Sequence, residues 1–130
     1  KKINEDVVVP VSQMPALIAR LDELGRKHAI TIVNFGHAGN GNIHVNLLVN
    51  PDDPSEMRRA TACLDAVFAT VLELGGTLSG EHGIGLEKRD YVTNELEPAT
   101  LAIMHRIREQ FDPAGILNPG KKLPPPADPR

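Results

Sequence analysis

The sequence predicts an α+β fold: a mostly antiparallel four-stranded sheet, two helices on one of its faces, and a further helix at the C-terminal end. Three observations predict it. Short β-branched or alternating apolar runs recur at 7–9, 30–35, 43–49 and 77–79. Apolar stripes at helical spacing separate the first run from the second and the third from the fourth. The chain has 130 residues, 41% hydrophobic and 24% charged, enough for one compact domain with a core.

Val7-Val8-Val9, ended by Pro10, reads as the first strand. Ser12 is a good N-cap for a helix over 12–28, whose stripe is Leu17, Ile18, Leu21 and Leu24, with Gly25 near its end. Ile30–Phe35 and Ile43–Val49 are the second and third strands. Pro51-Asp52-Asp53-Pro54 breaks the chain, and Ser55 is expected to cap a second helix. That helix carries Met57, Ala60, Leu64, Val67, Phe68 and Val71 on one stripe and stops at Gly75-Gly76. Thr77–Ser79 begins a fourth strand, and Pro98 suits the first turn of a third helix with Leu101, Met104, Ile107 and Phe111 as its stripe. Strand, helix, strand, strand, helix, strand is the βαββαβ order of ferredoxin-like folds, with one sheet face left open. Residues 1–123 form this domain, and the Pro-rich tail 124–130 is expected to be disordered.

Composition excludes several classes. The net charge of −3 and an aromatic content of 3% give no electrostatic or stacking footprint for nucleic acid. Cys63 is the one cysteine, so no internal disulfide forms; mid-helix, it reads as a core residue. No apolar run approaches the ~20 residues of a membrane span, and no signal peptide is visible. A cytoplasmic location is expected, with any membrane association peripheral and through partners. The chain opens Lys1-Lys2-Ile3 without Met, which reads as a fragment or a processed product. Gly36, Gly39 and Gly41 are spaced G-x-x-G-x-G and lead into a strand, unlike a dinucleotide loop. His28 and His105 read as structural, and Lys88-Arg89-Asp90 as a solvated charge run.

The stretch GHAGNGNIHVN, residues 36–46, carries the first chemical signal. Asn40-Gly41 is the preferred pair for a two-residue hairpin turn. Pairing would then run 39 with 42, 38 with 43 and 37 with 44, setting His37 directly opposite His44, with Cβ atoms about 4.5–5.5 Å apart. Ile43, Val45, Leu47 and Val49 would face the helices, leaving His44, Asn46, His37 and Phe35 on the open face. Two imidazoles so placed can converge on one metal ion; solvated polar residues at a hairpin tip fit the spacing equally well. The second signal is Gly80-Glu81-His82-Gly83-Ile84-Gly85. In a regular strand Glu81 and His82 would point to opposite faces, so only an irregular segment lets both serve one site. A set of His37, His44 and Glu81 suits a catalytic Zn²⁺ with an open position, and His82 is then left as a general base; a glycine-rich turn with exposed polar residues is the alternative.

GHAGNGNIHVNLLVNP (36–51), GGTLSGEHGIGLEKRDYV (75–92) and FDPAGILNPGK (111–121) together resemble the C-terminal domain of FAD-linked oxidases, as does the opening EDVVVP. That group includes D-lactate dehydrogenases, the glycolate oxidase FAD subunit and D-2-hydroxyglutarate dehydrogenase. The resemblance implies a ferredoxin-like cap over a flavin and a metal, usually zinc, held by His37, His44 and Glu81. It implies His82 as proton acceptor, Asn46 as a substrate contact and Asn118 near the flavin ring. The implied function is oxidation of a 2-hydroxy acid, of D-lactate or glycolate type, to the 2-oxo acid with FAD as acceptor. The implied partners are the chain's own N-terminal FAD-binding domain, the small acid substrate and an electron acceptor that stays unassigned. That FAD-binding domain is absent from these 130 residues, so the chain alone is expected to be inactive, and the basic residues that hold the substrate carboxylate fall largely before Lys1. The competing expectation is a non-enzymatic ferredoxin-like module that binds a metal or ligand.

Overall fold

The structure is a computed structural model that describes residues 1–126; the end of the expected tail, 127–130, lies outside the described residues. Two compact units divide the chain, Lys1–His82 and Gly83–Arg130. Among the described residues the architecture is α+β, with a three-stranded antiparallel sheet and four α-helices.

In the first unit β1 (Lys2–Val8), β2 (Thr31–His37) and β3 (Asn42–Leu48) form a sheet of order β1-β3-β2. Helices α1 (Met14–His28) and α2 (Pro54–Glu73) pack on each other, and α1 packs on β2. Val7, Val45, Leu47, Leu17, Leu21, Ala60, Cys63, Val67 and Val71 are fully buried, an aliphatic core of the kind the composition requires. As expected, Ile43, Val45, Leu47 and Val49 all lie in it. Burial also pushes the Cys63 thiol above its ordinary pKa, which keeps it protonated and inert.

Helix boundaries differ from expectation for local reasons. Ser12 sits inside a 3-10 turn, Val11–Gln13, closed by the Gln13 N–H on the Pro10 carbonyl, and α1 begins only at Met14. At its end Ala29 adopts the left-handed conformation and the Ile30 N–H returns to the Gly25 carbonyl. The cap of α2 is Asp53 rather than Ser55. Its carboxylate accepts from the Ser55 and Glu56 N–H groups at 2.8 and 3.2 Å, with Pro54 in the first turn. Those amide donors hold the Asp53 carboxyl below the usual range.

Two expectations about the sheet are corrected. The hairpin register is His37 with Asn42 and Phe35 with His44, two residues from the expected pairing. The reason is a four-residue loop, 38–41, in place of the two-residue turn. The Asn40 N–H closes on the His37 carbonyl, and the Gly41 carbonyl accepts from the Val9 N–H. Gly41 has φ +77°, and a Cβ there would stand 2.0 Å from the Val9 carbonyl oxygen, so only glycine makes this turn. The fourth strand is reduced to one bridge, Thr77 with Val8, at the free edge of β1. Beyond Leu78 the amides of Gly80, Glu81 and His82 turn onto the Asp6 carboxylate, which takes them out of any ladder.

The second unit holds a 3-10 turn (Arg89–Tyr91), α3 (Val92–Glu95) and α4 (Pro98–Phe111). The first two were not anticipated. Lys88, read as part of a solvated run, is buried, and Arg89 donates to the Gly120 carbonyl at 2.9 Å. α4 starts at Pro98, as expected for its first turn, and runs to the end of the expected stripe but has no buried residue; Ile107 and Phe111 are 55% and 81% exposed. After it, Asp112 accepts from the Ile116 and Leu117 N–H groups, both at 2.9 Å, and Arg108 donates to the Leu117 and Asn118 carbonyls. Asn118, with φ +47°, is thereby held in a defined turn. His105 meets the Pro124 carbonyl at 2.9 Å, a structural contact. No helix among the described residues is long and apolar enough to cross a membrane.

Candidate functional site

The alternation of β3 builds the site. One side of the strand is the aliphatic core; the other presents Asn42, His44 and Asn46. The ladders set Asp6 of β1 and Phe35 of β2 on either side of His44. His37 shares the face of Phe35, two residues on. A slip of one residue would have turned His37 away; the observed slip of two leaves it on the same face, diagonal to His44. The two imidazoles meet edge to face with centroids 5.7 Å apart, and Phe35 lies against His44 at 5.2 Å. The face is not open at its centre: His44 and Asn46 are 8% and 3% exposed.

The corner at 80–82 completes the cluster. Glu81 and His82 both reach it because the backbone there is irregular, as their adjacency demanded. Glu81 Oε1 stands 3.2 Å from His44 Nε2. The His82 ring stacks on His44 at 5.2 Å and 30°. Ligand atoms of His37, His44 and Glu81 all fall within 4.8 Å of one another. Tetrahedral Zn²⁺ with bonds of about 2.0–2.1 Å needs donors about 3.3 Å apart. The His44–Glu81 pair already has that spacing, and His37 and Glu81, both exposed, have freedom to close the rest. Two imidazoles and a carboxylate, three donors with a position left open, are the donor chemistry of a hydrolytic or Lewis-acid divalent site.

Asn46 directs its Nδ2 to the Val33 carbonyl at 3.2 Å and keeps a buried Oδ1 with no protein partner. Asn42 Oδ1 is in the same state. A buried amide oxygen without a donor is costly, and a bound hydroxyl group is one way to satisfy it. Asn118 belongs to the other unit. Sequence reasoning missed two residues. Asp6, fully buried, accepts from the backbone N–H groups of Gly80, Glu81 and His82, and its Oδ1 lies 3.6 Å from His82 Nδ1. The available signal was an acid inside the β-branched run EDVVVP. Asn42 lies flat against Gly80, where a Cβ would stand 2.7 Å from its side chain; this explains the first glycine of the corner.

Comparison with known proteins places the chain in a family. Residues 1–122 match the family model described as FAD linked oxidases, C-terminal domain. The chain is 37% identical over 119 residues to the glycolate oxidase subunit GlcD of Bacillus subtilis, covering 92% of the chain and 25% of that relative. It is 40% identical over 117 residues to a D-lactate dehydrogenase of Anaerostipes hadrus (89% and 25%). It is 40% identical over 123 residues to a D-2-hydroxyglutarate dehydrogenase of Stutzerimonas stutzeri (91% and 26%). The chain thus spans about a quarter of the length of these relatives. With nearly every residue of the chain under the family model, it belongs to the FAD-linked oxidases, as their C-terminal domain.

Proposed function

We propose that this chain is the substrate- and metal-binding part of a flavin-dependent 2-hydroxy acid dehydrogenase. The observation that carries the reading is the convergence of His37, His44 and Glu81 with His82 stacked beside them. The compounds named in the relatives, glycolate, D-lactate and D-2-hydroxyglutarate, share a hydroxyl group next to a carboxylate. Thr77, bridged to the free edge of β1, occupies the place of a fourth strand in a ferredoxin-like sheet, which supports that architecture for the domain.

On this reading His37, His44 and Glu81 hold a divalent ion, zinc by donor type, which when bound supplies Lewis-acid polarisation of the substrate hydroxyl. FAD, bound mainly by an N-terminal domain of the same protein, supplies the two-electron acceptor. His82 takes the hydroxyl proton. Its Nδ1 faces the Asp6 carboxylate, which leaves Nε2 as the accepting nitrogen. Asn46 offers its unpartnered amide oxygen to the bound acid. Asn118, whose turn is held by Arg108 and Asp112, would lie near the flavin ring, as the resemblance implies. The exposed apolar residues Ile107, Phe111, Ile116 and Leu117 suit a surface that the N-terminal domain covers.

The test is flavin reduction by 2-hydroxy acids in the full-length protein. His82→Ala is expected to lower turnover by about 10²–10⁴-fold with flavin content retained. Unchanged turnover would remove His82 from the chemistry; metal uptake without oxidation of any 2-hydroxy acid would mark a binding module instead.

A further inference from the structure

We propose that Asp6 is the positioning residue of the site: its buried carboxylate holds the Gly80-Glu81-His82 corner in the shape that brings Glu81 to the metal and His82 to the substrate. The inference rests on the function proposed above and adds to it the device that makes the corner competent.

One oxygen of Asp6, Oδ2, accepts from three successive amides. Gly80 donates at 2.7 Å, His82 at 3.0 Å, and Glu81 between them makes the closest contact. Three consecutive N–H groups turned on one anion form a nest, a conformation that a strand does not offer. The other oxygen faces His82 Nδ1. The carboxylate is wholly inaccessible, so its charge is answered by these protein donors rather than water. Such charge-assisted bonds are about twice as strong as neutral ones. Register places Asp6 directly opposite His44. The same side chain therefore ties a segment 74–76 residues away to the strand that carries a metal ligand. Without it, Glu81 and His82 would revert to opposite faces, as alternation dictates.

Two quantities test this in the full-length protein: Zn²⁺ affinity by competition with a chromophoric chelator, and hydrogen exchange at the 80–82 amides without metal. Asp6→Ala is expected to weaken Zn²⁺ binding by about 10–100-fold, the usual effect of removing a partner that orients a ligand. Exchange at those three amides should speed up by about as much, with the β1–β3 ladder still protected. Asp6→Asn keeps an oxygen for the amides but no charge, so both effects should be present and smaller. That variant decides the matter if Asp6→Ala does not fold. Val67→Ala, in the core of α2, controls for stability: it should lower the thermal midpoint without moving either quantity. Wild-type affinity in both Asp6 variants, or losses no larger than in Val67→Ala, would overturn the positioning role while leaving the metal site standing. If the wild-type protein takes up no Zn²⁺, the proposed function falls, and the positioning role with it.

Discussion

The two faces of β3 are both buried, yet they are made of opposite chemistry. Ile43, Val45 and Leu47 face the helices and need nothing but volume. Asn42, His44 and Asn46 face Asp6, Phe35 and the 80–82 corner, and two of these three keep an unpartnered amide oxygen. One face is saturated with contacts; the other is left unsatisfied in specific places. The difference separates what holds the domain together from what a ligand would complete on the proposed reading. A shallow hollow of about 380 Å³ around Leu21, Gly25 and Ile32, on the α1–β2 side, lies apart from this polar face.

Substitutions on each face should therefore fail in different ways. Leu47→Ala should cost about 2–5 kcal/mol of stability, the range for a buried leucine, read by denaturant titration. Metal affinity of the folded fraction should stay unchanged; a matching loss of affinity would show that the faces are not independent. Gly80→Ala comes next. Its new Cβ meets the Asn42 side chain, and overpacking of this kind costs about 1–3 kcal/mol. Here Zn²⁺ affinity should fall with stability, because the displaced residues carry Glu81. Asp53→Ala, at the start of α2 and away from both faces, should have the smallest effect: a thermal midpoint lower by a few degrees and no change in metal binding. Its pH dependence has a definite sign. Asp53 has a depressed pKa in the folded state, so its contribution is full above the unfolded carboxyl pKa and is lost as pH falls through the folded one. The gap between wild type and Asp53→Ala should close in acid.

Periodicity was enough to find the core, because burial on one side forces a repeat of two in strands and 3.6 in helices. Val45, Leu47, Leu17, Leu21, Val67 and Val71 are all where alternation or helical spacing put them. The clustering of His37, His44 and Glu81 was legible from residue type and from the resemblance, although the pairing that joined the first two was off by two positions. A pairwise turn preference could not foresee that Gly41 would bond to Val9, thirty-two residues earlier. An acid beside a β-branched run could flag Asp6, but its partners were illegible for the same reason: the three backbone amides of 80–82 are distant in sequence. The truncated fourth strand follows from Asp6, since the amides it collects are the ones a longer strand would have used. On α4 the stripe at 101, 104, 107 and 111 was real as a pattern, but a pattern does not say what covers it.

The most direct measurement is the Zn²⁺ stoichiometry of the purified full-length protein and of its His44→Ala variant, by metal analysis after dialysis. One equivalent in the wild type, absent in a folded His44→Ala, is expected if His37, His44 and Glu81 surround one ion. A wild-type protein that retains no divalent metal, or a His44→Ala variant that keeps its full equivalent, would contradict it.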